Sequence, residues 1–239
     1  MRIATRDLLA ELLIEALDDP ITATALHCLA QYSRAATPFP SAITVEQLLG
    51  PIPTRHSDSV LAKLQSIPLL AWDLSEKPGH VTVTDAFTTE WQEIKDKLIK
   101  FSTALQDWAP NTKDPPLQQA LKKGVLLFNH HLFFEVHEVL EAQWRLETGE
   151  EKRFLQGLIQ IAVAFYHYER GNPRGALLLL QDGIEKLAPH QPTFLGVNLS
   201  PFITEIKRVR NSLHHGDPEE ITPVRALTAP RLNFITDPS

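Results

Sequence analysis

Four Asx-Pro or Ser-Pro pairs constrain this chain more than any other feature: Asp19-Pro20, Asp114-Pro115, Asn172-Pro173 and Ser200-Pro201. Each sets a side-chain acceptor, suited to an N-cap, directly before a residue with fixed φ and no N–H to lose, suited to the first helical position. Four such starts predict a mainly α-helical protein. Leu8, Leu9, Leu12 and Leu13, and later Ile159, Ala162, Val163 and Tyr166, recur at helical spacing and mark faces turned to a core. With 239 residues and 43% hydrophobic content, the chain can bury one large core or two smaller ones.

Strand signals are few. Leu69–Leu74 and His80–Thr84 are short runs of apolar, aromatic and β-branched residues flanking Ser75 to Gly79, the pattern of a hairpin. Upstream, Ile21–Arg34 reads as a helix, Thr44–Leu49 as a short helix opened by a Thr44/Gln47 capping box, and His56–Ser66 as a third. Three helices and then a hairpin is the order of a winged helix. Asp85–Trp108 reads as one long helix, and the run from Ala109 to Pro116 as a linker. The expected organisation is therefore a winged-helix-like module over 1–108, a linker at 109–116, an all-α domain over 117–216, and a loosely packed tail over 217–239 that carries four prolines.

Charge and composition narrow the function classes. A net charge of −6 disfavours a general phosphate-backbone binder. Residues 1–100 hold 9 Lys and Arg against 13 Asp and Glu, so the first module is better suited to protein contact or self-association than to duplex recognition. If it did bind nucleic acid, Arg55 and Lys63 would be the contacts. A single cysteine, Cys28, leaves no internal disulfide and no thiolate zinc cage, and is expected to be core filler. The N-terminus is punctuated by acidic residues and lacks the apolar stretch of a signal peptide, and no run of about 18 apolar residues occurs, so the expected address is cytoplasmic with no membrane association.

Residues 128–144 read Phe-Asn-His-His-Leu-Phe-Phe-Glu-Val-His-Glu-Val-Leu-Glu-Ala-Gln-Trp, followed by Phe154-Leu155-Gln156-Gly157-Leu158-Ile159-Gln160 and Gly171-Asn172-Pro173-Arg174-Gly175-Ala176. Over about 117–188 this resembles the domain of unknown function 309 family, which implies a compact all-α fold and no established activity. The family commonly has glycine at the position of His131, in the turn between two helices. That departure makes Asn129 the residue expected to take a positive φ there.

On a helix spanning about 132–147, His137, Glu138, Glu141 and Trp144 share a face, with His137 and Glu141 one turn apart. Gln156, Gln160 and His167 share a face of the next helix, which a turn at Thr148-Gly149 makes antiparallel. A polar cluster of His137, Glu138, Glu141, Gln156, Gln160 and His167 between the two helices is therefore expected. It can be a closed hydrogen-bond network that fixes helix register in a binding or scaffold protein. It can instead be a site for a divalent transition metal held by His137, Glu141 and His167, the basis of a metal-dependent hydrolase that would also use Glu138. The pattern is incomplete for a zinc protease helix, which needs a second histidine at the Glu141 position. Glu135 falls about 160° from His137 and is expected to be exposed or capping; His130 is expected at the surface. No Gly-x-Ser-x-Gly turn or phosphate-cradling glycine loop occurs.

Overall fold

The computed structural model describes residues 1–35, 42–50, 52, 54–75, 77–215 and 229–235. Among the described residues the protein is mainly helical with two small sheets, and the chain divides into two compact units, Met1–Pro110 and Asn111–Ser239. Among the described residues no helix is long and apolar enough to cross a membrane.

The first unit runs α1 (Ile3–Glu15), α2 (Pro20–Ala35), β1 (Ile43–Thr44), α3 (Val45–Leu49), α4 (Thr54–Ser66), β2 (Leu70–Asp73), β3 (His80–Val83) and α5 (Trp91–Asp107). Asp19 caps α2 as its position before Pro20 predicts: Oδ2 accepts from the Thr22 N–H at 2.8 Å and from the Thr22 hydroxyl at 2.6 Å. The Thr22 hydroxyl and N–H hold the Asp19 carboxyl below its ordinary range. The Thr44/Gln47 capping box is reciprocal, with Gln47 N–H donating to Thr44 Oγ1 at 3.1 Å and Thr44 N–H donating to Gln47 Oε1 at 2.9 Å.

The hairpin pairs Leu70 with Val83 and Asp73 with His80, and β1 adds to its other side to give the antiparallel order β1-β3-β2. Leu9, Leu13, Leu26, Leu29, Leu64, Ile94, Leu98 and Phe101 fill the core. Leu9, Leu12 and Leu13 are buried as the α1 stripe predicts. The single long helix expected over 85–108 is split: Asp85–Glu90 is 3-10 and the α-helix begins at Trp91. Thr88 and Thr89 are poor helix formers. Glu90 is turned to the chain start instead, receiving the backbone N–H and guanidinium of Arg2 and the Thr5 hydroxyl.

The second unit runs α6 (Pro116–Asn129), α7 (Phe133–Trp144), α8 (Gly149–Glu169), α9 (Pro173–Leu187), β4 (Thr193–Phe194), β5 (Val197–Asn198), α10 (Leu199–His215) and β6 (Asn233–Phe234). Successive helices α6 to α10 pack as neighbours around Phe128, whose ring meets those of Phe133, Phe165 and Phe202 at 5.3, 5.8 and 5.5 Å, edge on. Helices α8 and α9 pack tightly. A Cβ at Gly183 would lie 2.7 Å from Ile161 Cδ1, so glycine is what permits the crossing.

Two of the Pro-marked helix starts shift slightly, to Pro116 and Leu199, while Asn172-Pro173 opens α9 as expected, with Asn172 Oδ1 accepting from Gly175 N–H at 2.9 Å. An all-α domain was the expectation over 117–216; the structure adds the antiparallel sheet β4-β5-β6. Its strands are two residues each, too short to show alternation in sequence. Of the expected loose tail, residues 229–235 are packed, with Ala229 and Leu232 buried and β6 paired to β5; 217–228 and 236–239 lie outside the described residues.

Candidate functional site

The turn from α6 to α7 decides how α7 is presented. Leu132 N–H donates to Leu127 O and His131 N–H to Phe128 O, both at 3.0 Å, the paired bonds of a Schellman ending. That ending demands a left-handed residue, and His131 itself supplies it at φ 58°, not Asn129. Asn129 remains helical, and its amide is engaged on the backbone of Leu232. The α8–α9 turn has the same bonds, from Asn172 N–H to His167 O and Gly171 N–H to Tyr168 O, with Gly171 at φ 75°.

From that turn α7 places its polar side chains along a strip that reaches solvent. His137 lies between two carboxylates, Nδ1 2.9 Å from Glu138 Oε1 and Nε2 3.5 Å from Glu141 Oε2. Glu141 also meets Arg145 at 3.2 Å. The His137, Glu138 and Glu141 side chains are 29%, 41% and 30% exposed, so this is a surface network with an apolar floor. The Phe134 ring lies 6.1 Å from the His137 ring and 5.7 Å from that of Tyr166. At the far end Lys152 Nζ sits 4.3 Å over the half-buried Trp144 ring.

The α8 partners foreseen for this cluster do not bond to it. Gln156 and Gln160 are half-buried and make no hydrogen bond with His137, Glu138 or Glu141; Gln160 Oε1 is shut from solvent without a donor. His167 sits at the α8–α9 turn, its Nδ1 3.3 Å from Asn172 Nδ2. Among the described residues no group of three or more His, Cys, Asp or Glu side chains is positioned to hold a metal ion.

Glu135, expected to be exposed or capping, is instead fully buried. Helical phase alone misled here: it set Glu135 opposite His137, and because His137 faces solvent, the opposite side of α7 is the one that faces the core. His130 is half-buried. In the first unit Cys28 is core filler as expected, and burial pushes its thiol up to about 11. Lys63 is bound to Glu15, with Nζ 2.6 and 2.7 Å from the two carboxylate oxygens; the Arg55 side chain lies outside the described residues.

Residues 121–179 match the sequence model of the family described as "Domain of unknown function (DUF309)". The second unit carries a DUF309 domain. The matched span holds the His131 turn, all of α7 and α8, and the start of α9. An uncharacterized protein of Aquifex aeolicus (strain VF5) is 29% identical over 104 residues, 43% of this chain and 31% of that protein. Uncharacterized protein YpuF of Bacillus subtilis (strain 168) is 43% identical over 56 residues, 23% of this chain and 32% of that protein. The matches therefore span about a third of the length of these curated relatives.

Proposed function

We propose that the DUF309 domain is a protein-binding module whose contact face is the α7 strip of Phe134, His137, Glu138 and Glu141. The observation that carries this reading is His137 set between two carboxylates, its Nδ1 hydrogen-bonded to Glu138 and its Nε2 3.5 Å from Glu141, while about a third exposed. Side chains already held in place lose little rotamer freedom when a partner covers them. Phe134 and Tyr166 beside them offer apolar area, and two carboxylates against one imidazole and one guanidinium favour a partner segment that brings hydrogen-bond donors or positive charge.

The test is site-specific photo-crosslinking from position 138 of the full chain in its host cell. One discrete crosslinked partner that disappears when His137→Ala and Glu141→Gln are added supports the module. Crosslinks unchanged by those substitutions, or none, defeat it. The metal-dependent reading requires His137, Glu141 and His167 to converge on an ion, and elemental analysis of untagged protein measures that directly. Less than about a tenth of a mole of transition metal per chain would remove it.

For the first unit the reading is a winged-helix-like module used for protein contact. The order of α2, β1, α3, α4 and the β2–β3 hairpin, with β1 paired to β3, supports the likeness. The Glu15 carboxylate against Lys63 neutralises a cation that duplex binding would need. A gel-shift titration at low salt that shows a duplex complex weakened by Arg55→Ala and Lys63→Ala would overturn the protein-contact reading in favour of a nucleic-acid-binding regulator.

A further inference from the structure

Residues 229–235, Ala-Pro-Arg-Leu-Asn-Phe-Ile, lie on the DUF309 unit in the way a bound peptide lies on a receptor. The Asn129 amide grips one residue of the main chain from both sides: Nδ2 donates to Leu232 O at 2.8 Å and Oδ1 accepts from Leu232 N–H at 2.9 Å. The Leu232 side chain, 3% exposed, is buried on the unit and walls an apolar cavity together with Leu121, Val125, Phe128, Leu140 and Phe202. The next two residues add a strand to the β4–β5 hairpin, pairing Asn233 with Asn198 and Phe234 with Val197, and Ile235 N–H donates to Gly196 O at 2.8 Å. Arg231 and Asn233 point outward and Ile235 is 50% exposed. Backbone capture by strand addition with one apolar anchor is how sheet edges recognise extended peptides.

Nothing in these contacts depends on the segment belonging to the same molecule. Thirteen residues, 216–228, separate it from the end of α10 in the sequence. Fully extended, a stretch of that length spans up to roughly 45 Å, ample to reach a neighbouring copy. Exchange of an identical element reproduces every contact and lets concentration choose between the two arrangements. We propose that this groove is an exchangeable peptide site that takes the 229–235 segment of a second copy of the chain, giving a pair joined by reciprocal segment exchange. The groove selects an extended peptide for leucine at the anchor, with a main chain free on the Asn129 side.

Complementation between two full-length variants tests this. Leu232→Asp keeps the groove but spoils the segment, because a carboxylate is costly to bury against the apolar side chains that surround Leu232. Asn129→Ala keeps the segment but removes both main-chain bonds of the grip, weakening the groove roughly ten- to hundred-fold. By light scattering at a few hundred micromolar, each variant alone is expected at the mass of one chain and their mixture at two. A fluorescent 229–235 peptide is expected to bind Leu232→Asp saturably and wild type at least about tenfold more weakly, since the tethered segment competes at an effective concentration on the order of millimolar. A mixture that stays at one-chain mass overturns the exchange. Peptide binding that ignores Asn129→Ala, or fails on Leu232→Asp, overturns the groove itself. Should Leu232→Asp lose its helical circular dichroism, a full chain with a protease site inserted within 216–228 replaces it. After cleavage the C-terminal piece must co-elute and be chased off by excess peptide, and a piece that separates at once counts against the groove.

Discussion

Replacing Glu90 with glutamine should cost the first unit a measurable, pH-dependent part of its stability. Glu90 is largely buried at the junction of the 3-10 turn and α5, and it ties the chain start down. Burial by itself would raise this carboxyl, but the Thr5 hydroxyl, the Arg2 N–H and the Arg2 guanidinium overcome it and hold it at about 2 against an ordinary 4.5. A fully sheltered group held so low would contribute about 3 kcal/mol at neutral pH. The Arg2 side chain is 59% exposed, so screening by solvent reduces the expected figure to about 1–2 kcal/mol.

The sign follows from a carboxyl that is more acidic folded than unfolded. Its contribution is fully present above about pH 4.5 and fades as pH falls toward about 2. Urea unfolding read by tryptophan fluorescence suits the measurement, because Trp72, Trp91 and Trp108 lie in this unit and only Trp144 in the other. Wild type and Glu90→Gln should differ by about 1–2 kcal/mol at pH 7 and converge at the acid end. A difference that is constant across that range would mean shape and not charge is responsible. No difference at pH 7 would refute the reasoning outright.

Three further outcomes are expected. His131→Gly should stabilise the DUF309 domain by about 0.5–1 kcal/mol, since φ 58° strains any residue with a Cβ and Gly171 already serves the equivalent turn; a lowered melting temperature would show that the His131 ring, 5.5 Å from that of Phe133, matters more than the strain. Glu135→Ala should destabilise the same domain by about 2 kcal/mol or more in chemical denaturation, because truncating a fully buried side chain leaves a void in the packed interior; a change under about 0.5 kcal/mol would place it with surface residues. Asp19→Ala should cost about 1 kcal/mol at neutral pH through loss of the α2 cap, with the loss vanishing as acid protonates a carboxyl that Thr22 holds low; hydrogen exchange over 20–26 is the readout, and unchanged protection there would contradict the cap.

Local chemistry is what made much of this protein legible from its sequence. Proline after a capping side chain announced α2 and α9, the Thr44/Gln47 pair announced α3, and two short runs of apolar, aromatic and β-branched residues flanking the stretch 75–79 announced the hairpin, because each signal acts within a few residues of itself. The 128–144 motif likewise pointed to the DUF309 family, and helical phase rightly set His137 with Glu141.

Which side of α7 meets water could not be read the same way. Periodicity defines relative angles on one helix, whereas the rotation of that helix is set by packing against other elements, as where Phe133 meets the rings of Phe128 and Phe165. That rotation is why Glu135 went inside and His137 came half out. Asn129 is the plausible left-handed residue by sequence, but α6 runs through it and closes with bonds to Phe128 O and Leu127 O that put the positive φ at His131, while the Asn129 amide binds Leu232, 103 positions away. Contacts across such separations carry no local signature, so only tertiary packing decided them.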